Sequence, residues 1–426
     1  MQISYDPSAS AVHADEADAE GYLEKNRTLI ERVQEGYIWN DGRLGWFSVT
    51  GAFPPEESYK LRAEADRVRA IATVMIVIGI GGSNRGAMAA IQALHRSIAS
   101  PTRIVFAGDT LSASSLLDSV EILKRESVVL NVIAKDFNTV EPGITFRVLR
   151  NALIDKYGEG YRERIIATGS RGPGQLAELS DAHGYRFLDF PADVGGRFSA
   201  LTTVGLFPMA VAGIDIAALV AGAMDAEKEL KNAGIESNPA VRYAVNRNLL
   251  FSRGFNVESL VFFEPDLLPF ARWWTQLFAE TEGKNQEAVF PTYFSYSEDL
   301  HAVGQYVQQG KRCIQETFLN FVHVHPDFLI GPSAAVKDGF GYLDGKAFDE
   351  LNRAVYAAAL RAHSEDGVPC AEISAPAIGA GSLGGLFYFF MFASYLSATL
   401  LGVNPFNQDG VENYKVNMYR ILGKHA

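Results

Sequence analysis

Along the chain the pattern of apolar and polar positions changes character twice. Through the first seventy residues, from DEADAEGYLEKNRTLIERVQEG to EESYKLRAEADRVRAI, it is highly charged and helical in spacing. From residue 74 short, almost wholly apolar runs take over: 74–80 (VMIVIGI), 103–108, 127–134, 164–168 and 185–190. Helical patterns lie between them. Short apolar strands alternating with helices predict a parallel sheet covered on both faces. From about residue 200 the chain is helix-rich again, with further apolar runs at 259–264 and 371–376 that predict a second α/β unit under heavier helical cover.

With 426 residues the chain exceeds what one core comfortably fills, so two domains are expected. The boundaries read as 1–70 for an N-terminal helical segment packing on the second domain, 71–200 for the first α/β domain, and 201–426 for the second with its C-terminal helix. The seam falls in 195–206, rich in Gly, Ser and Thr. One run, 383–403 (LGGLFYFFMFASYLSATLLGV), is uncharged and long enough to cross a bilayer. It contains Gly, Ser, Thr and Tyr and lacks a basic flank, so a helix buried on all sides is expected and no membrane partner.

Composition narrows the function classes. With 38 basic against 50 acidic residues the net charge is -12, so nothing offers the clustered Lys and Arg of a nucleic-acid surface. Cys313 and Cys370 form no CxxC pair, and the first twenty residues have no basic and apolar leader pattern. A reducing, cytoplasmic setting follows as the expectation.

Candidate chemistry sits in a few segments. Gly79-Ile80-Gly81-Gly82-Ser83-Asn84-Arg85-Gly86 is a strand–turn–helix where backbone N–H groups can meet an anion. It breaks the dinucleotide spacing at Asn84, and no GxxxxGK[ST] occurs in the chain. Glu280-Thr281-Glu282-Gly283-Lys284 follows the aromatic stretch FARWWTQLFA, where a carboxylate can be desolvated and tuned as a base. His323 and His325 (FVHVH) alternate on one face of a possible strand, but without a third ligand they read as structural. His301 stands in SEDLHAVGQY, which can open a helix capped by Ser297 or Asp299.

Five ordered stretches make the chain resemble phosphoglucose isomerase in its short bacterial form: VIGIGGSNRGAMAAIQAL, VGGRFSALTTVGLFPMAVAGIDI, ARWWTQLFAETEGKNQEAVFPTY, DLHAVGQYVQQGKR and LGVNPFNQDGVENYKVNMYRILGK. The resemblance implies two sugar-isomerase (SIS) domains, each a mostly parallel sheet flanked by helices. It also implies a homodimer with active sites shared between subunits, and no metal or organic cofactor. Glu280 matches the base that moves a proton between C2 and C1 through a cis-enediol, and Arg197 matches the cation that stabilises the enediolate. His301 matches the ring-opening residue supplied by the neighbouring subunit. Lys415 matches the lysine that assists ring opening, Gln276 and Gln408 match substrate-holding amides, and Gly196 lines the same pocket.

One loop departs from the family pattern. Where the family carries SKSGTTTE or SKTFTT, this chain reads Ala134-Lys135-Asp136-Phe137-Asn138-Thr139-Val140-Glu141. Ser83, Lys135 and Thr139 are retained; Asp136 is new, and Arg85 replaces a leucine of the first loop. A carboxylate about 5 Å from a phosphate, at an effective dielectric near 20, repels each unit of its charge by roughly 3 kcal/mol. The expected substrate is therefore a hexose with a polar or anionic C6 tail. Glucose 6-phosphate and fructose 6-phosphate are the default pair, and the alternative is a C6 sulfonate such as sulfoquinovose (6-deoxy-6-sulfoglucose), with Arg85 as an added donor. A non-catalytic sugar-phosphate sensor is the reading of another class, but a sensor needs no base.

Overall fold

Five apolar runs become one sheet whose strands all run the same way. The structure, a computed structural model, describes residues 3–37, 39, 43–97, 100–135, 137–172, 174–323, 327–333 and 336–423. Strands β2 (Val74–Ile78), β3 (Arg103–Ala107), β4 (Val128–Ile133), β5 (Ile165–Gly169) and β6 (Arg186–Asp189) follow a three-residue β1 (Ser4–Asp6). They line up as β3-β2-β4-β5-β6, every pair parallel. β2, β4 and β5 are buried along their whole length, which is why they read as unbroken apolar runs. The strand order reverses between β2 and β4, so a crevice opens past their carboxyl ends, and the 79–81 and 134–139 loops both lie there.

The second sheet combines β7 (Val257–Phe262), β8 (Phe290–Ser295), β9 (Ile314–His323) and β10 (Cys370–Ala377) with β1, in the order β1-β10-β9-β7-β8. Only β1 is antiparallel. β7 and β10 begin ahead of the runs that announced them, β1 and β8 have no clear sequence signal, and β9 has one only at its end, in FVHVH. β1 is too short to show a pattern. β8 contains Pro291, tolerable because this is an edge strand and a ladder N–H is missing only on the open side. β9 crosses the sheet interior with Gln315, Glu316 and Thr317 buried, which breaks its apolar pattern. Each is satisfied: Gln315 donates to the Phe255 carbonyl at 3.1 Å and Thr317 to Glu258 at 2.7 Å, while Glu316 accepts from Tyr296 at 2.5 Å and bonds the His363 ring at 2.6 Å.

The 383–403 run forms the Ala380–Leu400 helix, the one described helix long and apolar enough to cross a membrane by length and composition. It lies inside the protein, packed on the Ile216–Asn232, Pro239–Ser252 and Leu268–Glu282 helices, with every residue from 383 to 399 buried. The approach to Ile216–Asn232 is close enough that a Cβ at Gly384 would stand 1.8 Å from the Leu219 carbonyl oxygen. In the N-terminal segment the Glu16–Gln34 helix packs on Pro239–Ser252 and Ala380–Leu400, whereas Pro55–Ile71 packs on the Thr203–Ala212 helix. That last helix also lies against Gly82–Ala93 and β3, so the chain past residue 200 still covers the first sheet.

Candidate functional site

The site assembles where the turn after β2 presses on the start of the Gly196–Leu201 3₁₀ turn. A Cβ at Gly82 would fall 2.1 Å from the Gly196 carbonyl oxygen, so only glycine permits the contact. The 3₁₀ turn buries Arg197, whose side chain is 2% exposed. Its guanidinium donates to Thr281 Oγ1 at 3.0 Å, to the Pro405 carbonyl, and through Nη1 to Glu280 Oε2 at 3.3 Å. The three contacts use Nε, Nη1 and Nη2, three nitrogens of one planar fork, where a lysine would have a single nitrogen to offer.

Glu280 leaves the last turns of the Leu268–Glu282 helix with 32% of its side chain open to a cleft. Gln276, one turn earlier on the same face, donates to Oε1 at 2.8 Å, and Gln408 donates to Oε2 at 2.7 Å. The carboxylate is thus fixed by an amide on each oxygen and a guanidinium beside it. Beneath it Lys284 donates to the carbonyls of Thr281 at 2.7 Å and Asn404 at 2.6 Å. Burial, with repulsion from Arg197 in support, lowers the Lys284 pKa to about 8.

A cleft of about 690 Å³ gathers nine of the sequence candidates: Ser83, Lys135, Thr139, Gly196, Arg197, Gln276, Glu280, Gln408 and Lys415. Thr139 precedes the Val140–Tyr157 helix and makes no capping bond with its own side chain. Lys135 has its ammonium turned to the chain behind the loop, donating to the carbonyls of Ala192 at 2.6 Å and Val194 at 3.1 Å. Lys415 lies on the Glu412–Ile421 helix and pairs with Glu412 at 2.7 Å, the contact that raises its pKa. Tyr419 of that helix donates to the Asn138 carbonyl at 2.7 Å, fastening the C-terminal helix over the loop.

The other candidates lie outside this cleft or outside the described residues. Arg85 lines a neighbouring cleft of about 670 Å³ rather than the loop side, although Gln276 and Glu280 wall both. His301 is exposed and lines neither cleft. The helix expected to open around it is a 3₁₀ turn, Glu298–His301, followed by a short Gly304–Gln309 helix. Ser297 caps nothing with its side chain, and Asp299 accepts the Ser295 N–H at 2.7 Å instead. His323 ends β9 exposed to solvent, while His325 and Asp136 lie outside the described residues. Among the described residues no group of three or more His, Cys, Asp and Glu could hold a metal ion.

With this geometry in place, the family model for phosphoglucose isomerase matches residues 63–425. The chain belongs to the phosphoglucose isomerase family. It is 44% identical to a glucose-6-phosphate isomerase of Heliobacterium modesticaldum, across 89% of this chain and 87% of the relative. With that of Staphylococcus epidermidis it shares 38%, across 100% and 96%. Among solved structures, a hypothetical protein from Thermus thermophilus superposes with a TM-score of 0.87 at 25% identity, covering 99% of both chains. A glucose-6-phosphate isomerase from Chlamydia trachomatis superposes at 0.82 with 20% identity, over 99% of this chain and 88% of that one, a likeness of fold. As a phosphoglucose isomerase family member the protein is an aldose–ketose isomerase. Sequence reasoning gave no role to Thr281, which orients Arg197, or to Arg272, which lines the second cleft. The only signal for Thr281 was its place between two glutamates. Arg272 had its spacing from Gln276 and Glu280, each one helical turn further on.

Proposed function

We propose that Glu280 is the catalytic base that interconverts an aldose and a ketose through a cis-enediol, on a hexose carrying an anionic C6 group. The observation that carries this reading is the open Glu280 carboxylate held 3.3 Å from the buried Arg197 guanidinium. Glu280 takes the proton from C2 of the open-chain aldose and returns it to C1. Arg197 stands beside the oxygen where negative charge grows, a fixed cation that needs no reorganisation. Gln276 Oε1 is buried without a partner among the described residues, so a sugar hydroxyl fits as its donor. Lys415 and Gln408 contact sugar hydroxyls, and His301 of a second copy opens the ring, which makes the working form a cytoplasmic homodimer. The same reading takes 71–200 and 201–426 as two sugar-isomerase domains, supported by the two separate sheets.

Glucose 6-phosphate and fructose 6-phosphate are the first pair, because the curated relatives carry that name. The loop favours a second pair, 6-deoxy-6-sulfoglucose and its ketose. Two hydroxyl positions are Ala134 and Asn138, position 136 carries a carboxylate, and Lys135 spends donors on the Ala192 and Val194 carbonyls. A sulfonate has one negative charge against the phosphate's −1.5 to −2, so it suffers about half the repulsion. A coupled assay with both sugars separates the pairs. The expected outcome is measurable turnover of glucose 6-phosphate with a larger kcat/KM on the sulfonate. Equal or better efficiency on glucose 6-phosphate would leave only the first pair, and turnover of neither would remove both.

A further inference from the structure

The cleft beside the Glu280 site contains two arginines that no described carboxylate pairs with. Arg272, Gln276 and Glu280 follow one another at four-residue spacing along one face of the Leu268–Glu282 helix, so the cleft runs along about 12 Å of helix from Arg272 to the base. Arg85, in the first turn of the Gly82–Ala93 helix that packs against it, faces the same space. The Arg85 guanidinium has one long bond, 3.4 Å to the Arg272 carbonyl, and the Arg272 guanidinium one of 3.4 Å to the Tyr293 hydroxyl. Among the described residues neither has an ion pair or any further hydrogen bond, although each guanidinium carries five N–H donors. Glu280 and Asp109 line the same cleft without forming an ion pair with either guanidinium, so both forks keep N–H donors for an anion.

We propose that Arg85 and Arg272 form a second oxyanion site, on the other side of Glu280 from the 134–139 loop, that takes a small phosphate or carboxylate compound. The two forks match the planar or tetrahedral oxygens of such groups, and Met88, Pro269 and Ala279 give the cleft apolar wall. Burial and the neighbouring Arg272 charge both lower the pKa of Arg85, the strain that a bound anion relieves. Gln276 and Glu280 wall both clefts, so an occupant places negative charge beside Glu280. The site is distinct from the seat of the sugar's own tail on the loop side.

Titration calorimetry of the full chain with inorganic phosphate and, separately, malonate at constant ionic strength tests this. Arg85→Gln and Arg272→Gln are each expected to weaken one or both probes by on the order of tenfold to a hundredfold, the scale of one charge-assisted hydrogen bond. Arg272→Lys, keeping the charge and losing the fork, should fall between. Circular dichroism of these variants confirms folding, and the two probes distinguish a phosphate from a carboxylate ligand. Thr139→Val, on the loop side, should leave the arginine-dependent binding step in place. The proposal is overturned if no binding step depends on either arginine, or if Thr139→Val weakens the same step as much. It is also overturned if Arg272→Gln shifts dimer dissociation while neither probe binds, since a carboxylate of a second copy would then be the occupant. The readout is binding, so it stands apart from which sugar is isomerised.

Discussion

Glu280 and Glu282 leave the same helix two positions apart, which turns them about 200° from each other around its axis. Glu280 faces the cleft with amides on both oxygens and Arg197 alongside. Glu282 faces the core, fully buried, held at 2.5 Å by an Arg247 that also binds Glu258. Burial pushes the Glu282 carboxyl up in pKa, with Arg247 pulling against it. Ser397 and Tyr243 complete the buried network, as neighbours of Arg247 and Glu258. The difference teaches that one short motif supplies both a carboxylate open to the cleft and one sealed in the core, and that the helix period separates them.

The contrast is broken most directly by neutralising each member. Glu280→Gln is expected to lower kcat at least 10²–10⁴-fold, the usual worth of a general base, and to stop exchange of the C2 hydrogen with solvent. Its thermal unfolding midpoint should stay near that of the parent chain, because the side chain is one-third open. An equal kinetic loss in a well-folded Glu282→Gln would erase the distinction.

Removing the cation from the buried side should cost stability instead. Arg247→Met leaves Glu258 and Glu282 buried without their counterion and is expected to lower the unfolding free energy by about 3–5 kcal/mol in denaturant titration. Adding Glu282→Gln to it should recover part of that loss. A single variant as stable as the parent would show that water already reaches the pair.

The smallest effect sharpens the boundary between the two sides, where Lys284 sits. Its pKa is about 8 in the folded protein against 10.5 when unfolded, so the folded state binds fewer protons between these values. The linked contribution is present above pH 10.5 and is lost as pH falls through 8. Stability therefore rises with pH across that window, by on the order of 1 kcal/mol once partial exposure is allowed for. Lys284→Met should flatten this rise, as measured by unfolding at pH 7.5 and 10.

Much of this is legible in the sequence. The parallel first sheet follows from β2, β4 and β5, whose burial on both faces leaves short β-branched apolar runs, too short for the buried helix that a longer run such as 383–403 forms. The second sheet was harder to read because β9 carries Gln315, Glu316 and Thr317 through its centre. Their partners, at Phe255, Tyr296, His363 and Glu258, are remote in sequence or on other elements. No local pattern encodes such a partner.

The site divides in the same way. Residue types alone, in ordered segments, determined the family, the enzyme class and a group of nine residues that meets in one cleft. Only the tertiary structure decided which way each side chain turns. It sent Arg85 to join Arg272 in the second cleft, spent Lys135 on the carbonyls behind its loop, and left His301 exposed outside both clefts. The physical reason is that side-chain direction depends on the helix face and on the backbone packed against it. At Gly82 the contact with the Gly196 carbonyl, next to Arg197, is made between backbones, and residue identity there records only that no Cβ is allowed.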